Sequence, residues 1–144
     1  MTVELRNETE REIDEGFLTG AALCALSGEG RPEADVFVLI VDDEAIQRLN
    51  SRYLGRDRPT DVIAFALSEA PGPDGVPESL GDVVVSIETA LRQAAELGEP
   101  AEREMARLVM HGVLHLLGWD DLDPDKADAM HARTEQLLRE FGTL

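Results

Sequence analysis

Two of the chain's three histidines, His111 and His115, stand four positions apart and are followed by Gly118 and the carboxylates of Asp120 and Asp121. Residues i and i+4 of a helix lie one above the other, about 5–6 Å apart at Cβ, so two imidazoles at this spacing reach one ion from one face. Gly118 supplies the left-handed conformation that ends a helix and turns the chain back. A carboxylate oxygen then completes a donor set of two nitrogens and one oxygen, the kind that holds zinc with a fourth position open to water. Asp121 is the expected third ligand, with Asp120 and the remaining histidine, His131, as alternatives. The segment from Leu108 to Leu117 carries no charge besides its histidines, and apolar surroundings do not hold two imidazoles without partners.

The order His-x-x-x-His-x-x-Gly-x-x-ligand is also that of the long zinc-peptidase signature. In that signature the residue after the first histidine is the Glu that takes a proton from the metal's water; here it is Gly112. A reduced zinc peptidase is therefore disfavoured. Metal-assisted hydrolysis of a less demanding substrate survives, and an RNA phosphodiester is one. Glu104, on the histidine side of the helix, is the one nearby carboxylate that qualifies as a base. Arg107 projects to that side too, where it either meets an anionic substrate or pairs with Glu104 or Glu102.

The elements that must position these groups alternate early and become helical late. Strands are expected at Val3–Arg6, Asp35–Val41, Val62–Leu67 and Gly81–Ile87. Helices are expected from about Glu10 to Leu26 (apolar at Ile13, Phe17, Ala21 and Cys24) and from the Asp42-Asp43 cap to about Tyr53. Three more follow at Ile87–Leu97, Ala101–Leu117 and Pro124–Phe141. The proline- and glycine-rich run 70–77 reads as a mobile loop. The histidine helix is apolar nearly all round and so should be central. The expected class is α+β, one small mixed sheet packed with about five helices, in a single domain over residues 1–144.

Composition narrows the setting. The single cysteine, Cys24, lies in an apolar run and reads as core. The charged amino terminus lacks a signal-peptide segment, and no apolar run reaches a membrane span, so a cytoplasmic location with no membrane partner is expected. A net charge of −17 argues, taken alone, against nucleic acid. The charge is uneven, however: Arg48, Arg52, Arg56 and Arg58 fall in a stretch whose one acid is Asp57. Such a patch on an acidic body can steer one strand to a site while the rest of the surface discourages non-specific binding.

Three pieces in order, Leu49 to Phe65 with its Pro59-Thr60-Asp61-Val62, Leu80-Gly81-Asp82-Val83, and His111 to Asp120, resemble the YbeY-type rRNA maturation factors. The resemblance runs from about Asp35 to the end. It implies an α+β fold and a zinc-dependent endoribonuclease specific for single strands, with His111 and His115 as two zinc ligands. It also implies a role in maturing the 3′ end of 16S rRNA and in ribosome quality control, with the small ribosomal subunit, ribosomal proteins or GTPases as partners. Asp121 stands where the family usually has a third histidine, Leu54 where it has an arginine, and Ala64 where it has a serine. If the family's arginine contacts phosphate, its task passes to Arg52, Arg56 or Arg58, or is lost. Asp61 and Asp82 match family positions, although a capping or turn role explains each as well. From another class, a ribosome-assembly or partner-binding protein with a structural metal fits the acidic surface and Leu54.

Overall fold

The computed structural model describes residues 3–67 and 79–142, so the 70–77 run lies outside the described residues. Its order is β1 (Val3–Asn7), α1 (Glu15–Gly28), β2 (Asp35–Val41), α2 (Asp43–Leu54), β3 (Val62–Ala66), β4 (Ser79–Ser86), α3 (Ile87–Leu97), α4 (Ala101–Leu116) and α5 (Pro124–Gly142). The four strands form one mixed sheet in the order β1-β2-β4-β3. β1 and β4 run parallel to β2, and β3 is antiparallel to β4. The expected α+β architecture of one mixed sheet and five helices is the one observed.

The apolar runs of β2 and β4 are continuous because both faces of these strands are covered. Val36, Val38, Ile40, Val83 and Val85 point into the main core with α1, α3, α4 and α5. Val41, Ile63 and Val84 point the other way, onto Ile46 of α2. Helix α4 touches α1, α3, α5, β3 and β4, which makes it the central element its sequence predicts. Gly112 sits where α4 meets the sheet: a Cβ there would lie 2.4 Å from Val83 Cγ1. Only a residue without a side chain allows this approach.

Helix α1 begins at Glu15, not near Glu10. Asn7 holds the preceding turn, accepting from Thr9 N–H at 2.9 Å and donating to Arg11 O at 2.7 Å. Asp14 then caps the helix by accepting from Phe17 N–H at 3.0 Å. The buried stripe is Leu18, Ala21, Ala22, Ala25 and Leu26, about one residue round from the expected face, and Phe17 is exposed. Cys24 is half-buried against the core, where burial pushes its thiol pKa up. Asp42 caps α2 through Ala45 N–H, and Asp123 stands before α5 with Oδ1 accepting from Lys126 N–H, each at 2.8 Å. Asp82, for which a capping or turn role stands beside its match to a family position, is an exposed residue within β4, opposite Phe37 and Phe65.

Candidate metal centre and adjoining cleft

The histidine helix ends as Gly118 requires. Leu117 caps α4, Gly118 takes φ 102°, and the N–H groups of Gly118 and Trp119 return to His115 O and Leu114 O at 3.1 and 3.0 Å. This turn carries Asp121 back beside the helix. His111, His115 and Asp121 each offer a ligand atom within 4.8 Å of the other two, the group among the described residues whose spacing suits a metal ion. The two imidazoles meet edge to face, with their Nε2 atoms 3.1 Å apart. Two nitrogens on a tetrahedral zinc, each about 2.0–2.1 Å from the ion, stand roughly 3.3 Å apart, so the pair fits a shared cation.

The remaining nitrogen of His115 is already assigned. Nδ1–H donates to Trp119 O at 3.1 Å, which leaves the Nε2 lone pair facing His111. Burial lowers the His111 pKa and the neighbouring His115 lowers it further, while Asp61 and Asp121 act in the opposite sense. The net lowering favours the neutral form that a metal requires. Asp121 is exposed, leaving the cluster open on its side. Asp120 is engaged elsewhere, accepting from Leu122 N–H at 3.1 Å and lying 3.6 Å from Lys126 Nζ. His131 is exposed on α5 and outside the cluster.

Beside His115 opens a cleft of about 380 Å³. Arg56, Arg58, Leu54 and the β3 residues Val62, Ala64 and Ala66 line it. The arginines sit on a turn held by Asn50, which is 2% exposed and donates to Arg58 O at 2.9 Å. Nothing in the arginine-rich stretch singled out Asn50, although a polar residue one turn after the buried Ile46 is a signal for such a bond. Arg52 is separated from its neighbours: its guanidinium lies 5.4 Å from the Tyr53 ring centre, and it lines a different hollow with Glu44, Gln47 and Asp57. Asp61 is committed at both oxygens, to Val62 N–H at 2.8 Å and to Gln93 Nε2 at 3.2 Å, so it ties β3 to α3.

Arg107 and Glu104 do not reach the centre as chemical groups. Arg107 bonds Glu104, Glu99 and Glu135, the last at 2.8 Å, so of the two expected partners Glu104 is present and Glu102 is not. The Arg107 bond holds Glu99 below the usual carboxylate range. Glu104 is 3% exposed; burial pushes its pKa up against the pull of Arg107. A base committed to this network cannot serve the cleft. Replacing Arg107 by alanine would leave Glu104 buried without its cation, and removing one member of a buried pair costs about 3–5 kcal/mol. Urea denaturation should show that loss as a lower midpoint with an unchanged slope.

A family profile described as "Endoribonuclease YbeY" matches residues 4–142. An "Endoribonuclease YbeY" from Lysinibacillus sphaericus is 41% identical over 99% of this chain and 96% of its own length. One from Desulforamulus reducens is 43% identical over 99% and 98%. The solution structure of TM1509 from Thermotoga maritima superposes with a TM-score of 0.67 at 24% identity, covering 97% of this chain and 89% of that one, and so shares the fold. The family match spans both the arginine turn and the histidine helix, and with relatives this similar over nearly full length it settles the membership: the chain belongs to the endoribonuclease YbeY family.

Proposed function

We propose that this chain is a zinc-dependent endoribonuclease that cuts single-stranded RNA, acting in 16S rRNA 3′-end maturation and ribosome quality control in the cytoplasm, with the small ribosomal subunit as its partner. One observation carries the reading: the cleft beside His115 is lined by Arg56 and Arg58, so that a phosphate-binding wall adjoins the His111, His115 and Asp121 cluster. His111, His115 and Asp121 are the residues that would hold the ion, and two nitrogens with one oxygen suit zinc. The chemistry a zinc ion supplies in such a site is polarisation of a phosphoryl oxygen and a lowered pKa for water. The protein's own part is positional. Trp119 O orients His115, burial favours the neutral form of His111, and the two arginines bind the strand through its phosphates.

The acidic remainder of the surface fits a nuclease that must release its product and avoid duplex RNA elsewhere. The structural-metal alternative is less well supported, because structural zinc sites are closed by four protein ligands and this cluster offers three, one of them exposed. The peptidase alternative fails at Gly112, which faces Val83 in the core rather than the cleft.

The test offers the purified, zinc-loaded protein a labelled single strand spanning the 16S 3′ end and, separately, the same sequence as a duplex. Cleavage of the single strand alone, lost with chelator and restored by zinc, is expected. No cleavage with zinc, or cleavage indifferent to chelator, contradicts the proposal. Arg56→Ala and Arg58→Ala should each raise KM about tenfold, the worth of a charge-assisted hydrogen bond of about 1.5 kcal/mol, and should flatten the salt dependence. Arg52→Ala should leave both unchanged. Kinetics at several salt concentrations check this.

A further inference from the structure

Trp119 carries two bonds of opposite direction, and together they connect the metal centre to the carboxyl end of α1 and to α5. Its carbonyl accepts from His115 Nδ1 at 3.1 Å. Its indole Nε1–H donates to Glu29 Oε1 at 2.6 Å. Glu29 stands at the carboxyl end of α1, and its second oxygen accepts from Arg133 Nε of α5 at 2.8 Å. Arg133 also donates to Gly28 O at 2.8 Å. Both charged side chains are largely buried, at 17% and 19% exposed, so the pair is held in one geometry.

We propose that Glu29 and Arg133 are positioning residues for the metal centre: they anchor Trp119, whose carbonyl orients His115, and thereby hold the turn that presents Asp121. The inference rests on the metal-binding reading above. The turn from Leu117 to Asp121 follows the two histidine ligands on α4 and carries the third ligand, Asp121, at its end. Its own backbone bonds run to Val113, Leu114 and His115, on the α4 side, and the Trp119–Glu29 bond ties it to α1 and, through Arg133, to α5. Removing that tie frees the Trp119 carbonyl to drift from His115 Nδ1 and lets Asp121 swing away.

The test measures zinc affinity by competition with a chromophoric chelator, the visible spectrum of the cobalt-loaded protein, and the metal-free Tm, for the wild type and four variants. Trp119→Phe keeps the ring and removes the donor. Groups that orient metal ligands are typically worth 10- to 100-fold in affinity, so Trp119→Phe and Glu29→Ala, one bond further out, should weaken zinc by up to about tenfold and alter the cobalt bands. Glu29→Gln, which keeps a neutral acceptor for the indole, should recover most of that affinity. Affinity and cobalt spectrum like wild type in Trp119→Phe and Glu29→Ala, even with a lowered Tm, overturn the proposal and leave the pair a merely structural tie. The fourth variant, His111→Ala, separates the two ideas. A wild type that binds zinc no better than His111→Ala overturns the metal reading and this inference with it.

Discussion

Replacing His115 by alanine should abolish RNA cleavage, with a fall in kcat/KM of at least about a thousandfold. The estimate follows from the several kcal/mol of charge stabilisation that a metal contributes at a phosphoryl centre, of which about 4 kcal/mol already corresponds to a factor near 10³. The loss should be this complete because His115 makes three contacts at once. Its Nε2 faces that of His111 at 3.1 Å, its Nδ1 ties the helix to Trp119 O, and its ring borders the cleft that holds Arg56 and Arg58. Metal content should fall with activity while the fold persists, since His115 is only half-buried and the apolar core of α4 is untouched. Single-turnover cleavage, metal analysis and circular dichroism on one preparation check the three parts. Cleavage by His115→Ala at the wild-type rate would mean that the activity belongs to a contaminant or to another site.

The second large effect is expected at Gly112. Glu at this position would restore the zinc-peptidase signature in the sequence, and the fold makes the opposite of a peptidase out of it. The new Cβ would meet Val83 Cγ1 at 2.4 Å, at the contact between α4 and β4. Overpacking of a filled core costs about 1–3 kcal/mol, and burying a carboxylate without a partner adds to it. Gly112→Glu should therefore lose about 3 kcal/mol or more of stability and gain no casein hydrolysis. Gly112→Ala isolates the steric part. An alanine for glycine in an open helix gains about 1 kcal/mol, whereas here it should destabilise. Denaturation midpoints for both variants decide the matter. A stable Gly112→Glu protein that digests casein would show that position 112 faces the metal and not the sheet.

The histidine pair is legible because helical spacing is local, and Gly118 and Asp121 follow the helix end at Leu116 within five residues. The strands were legible because β2 and β4 are apolar on both faces. The sheet order was not: β4 inserts between β2 and β3, a long-range pairing that no local pattern encodes. The same limit applies to Arg107, whose partner Glu135 lies on α5, and to Trp119, whose partner Glu29 lies 90 residues away. Spacing alone treated Arg52, Arg56 and Arg58 as equivalents. The left-handed turn at Gly55 and the Asn50 bond carry the last two into the cleft and leave Arg52 on the helix beside Tyr53. The periodic pattern starts α1 too early for a local reason: Asn7 and Thr9 offer the backbone a turn that competes with helix, and α1 begins at Glu15.

The metal centre itself is tested most directly by an anomalous difference map collected at the zinc edge from crystals of the zinc-loaded protein. A single peak about 2.0–2.2 Å from His111 Nε2, His115 Nε2 and an Asp121 oxygen is the predicted result. A map with no peak there, and with the three side chains turned away from one another, would contradict it.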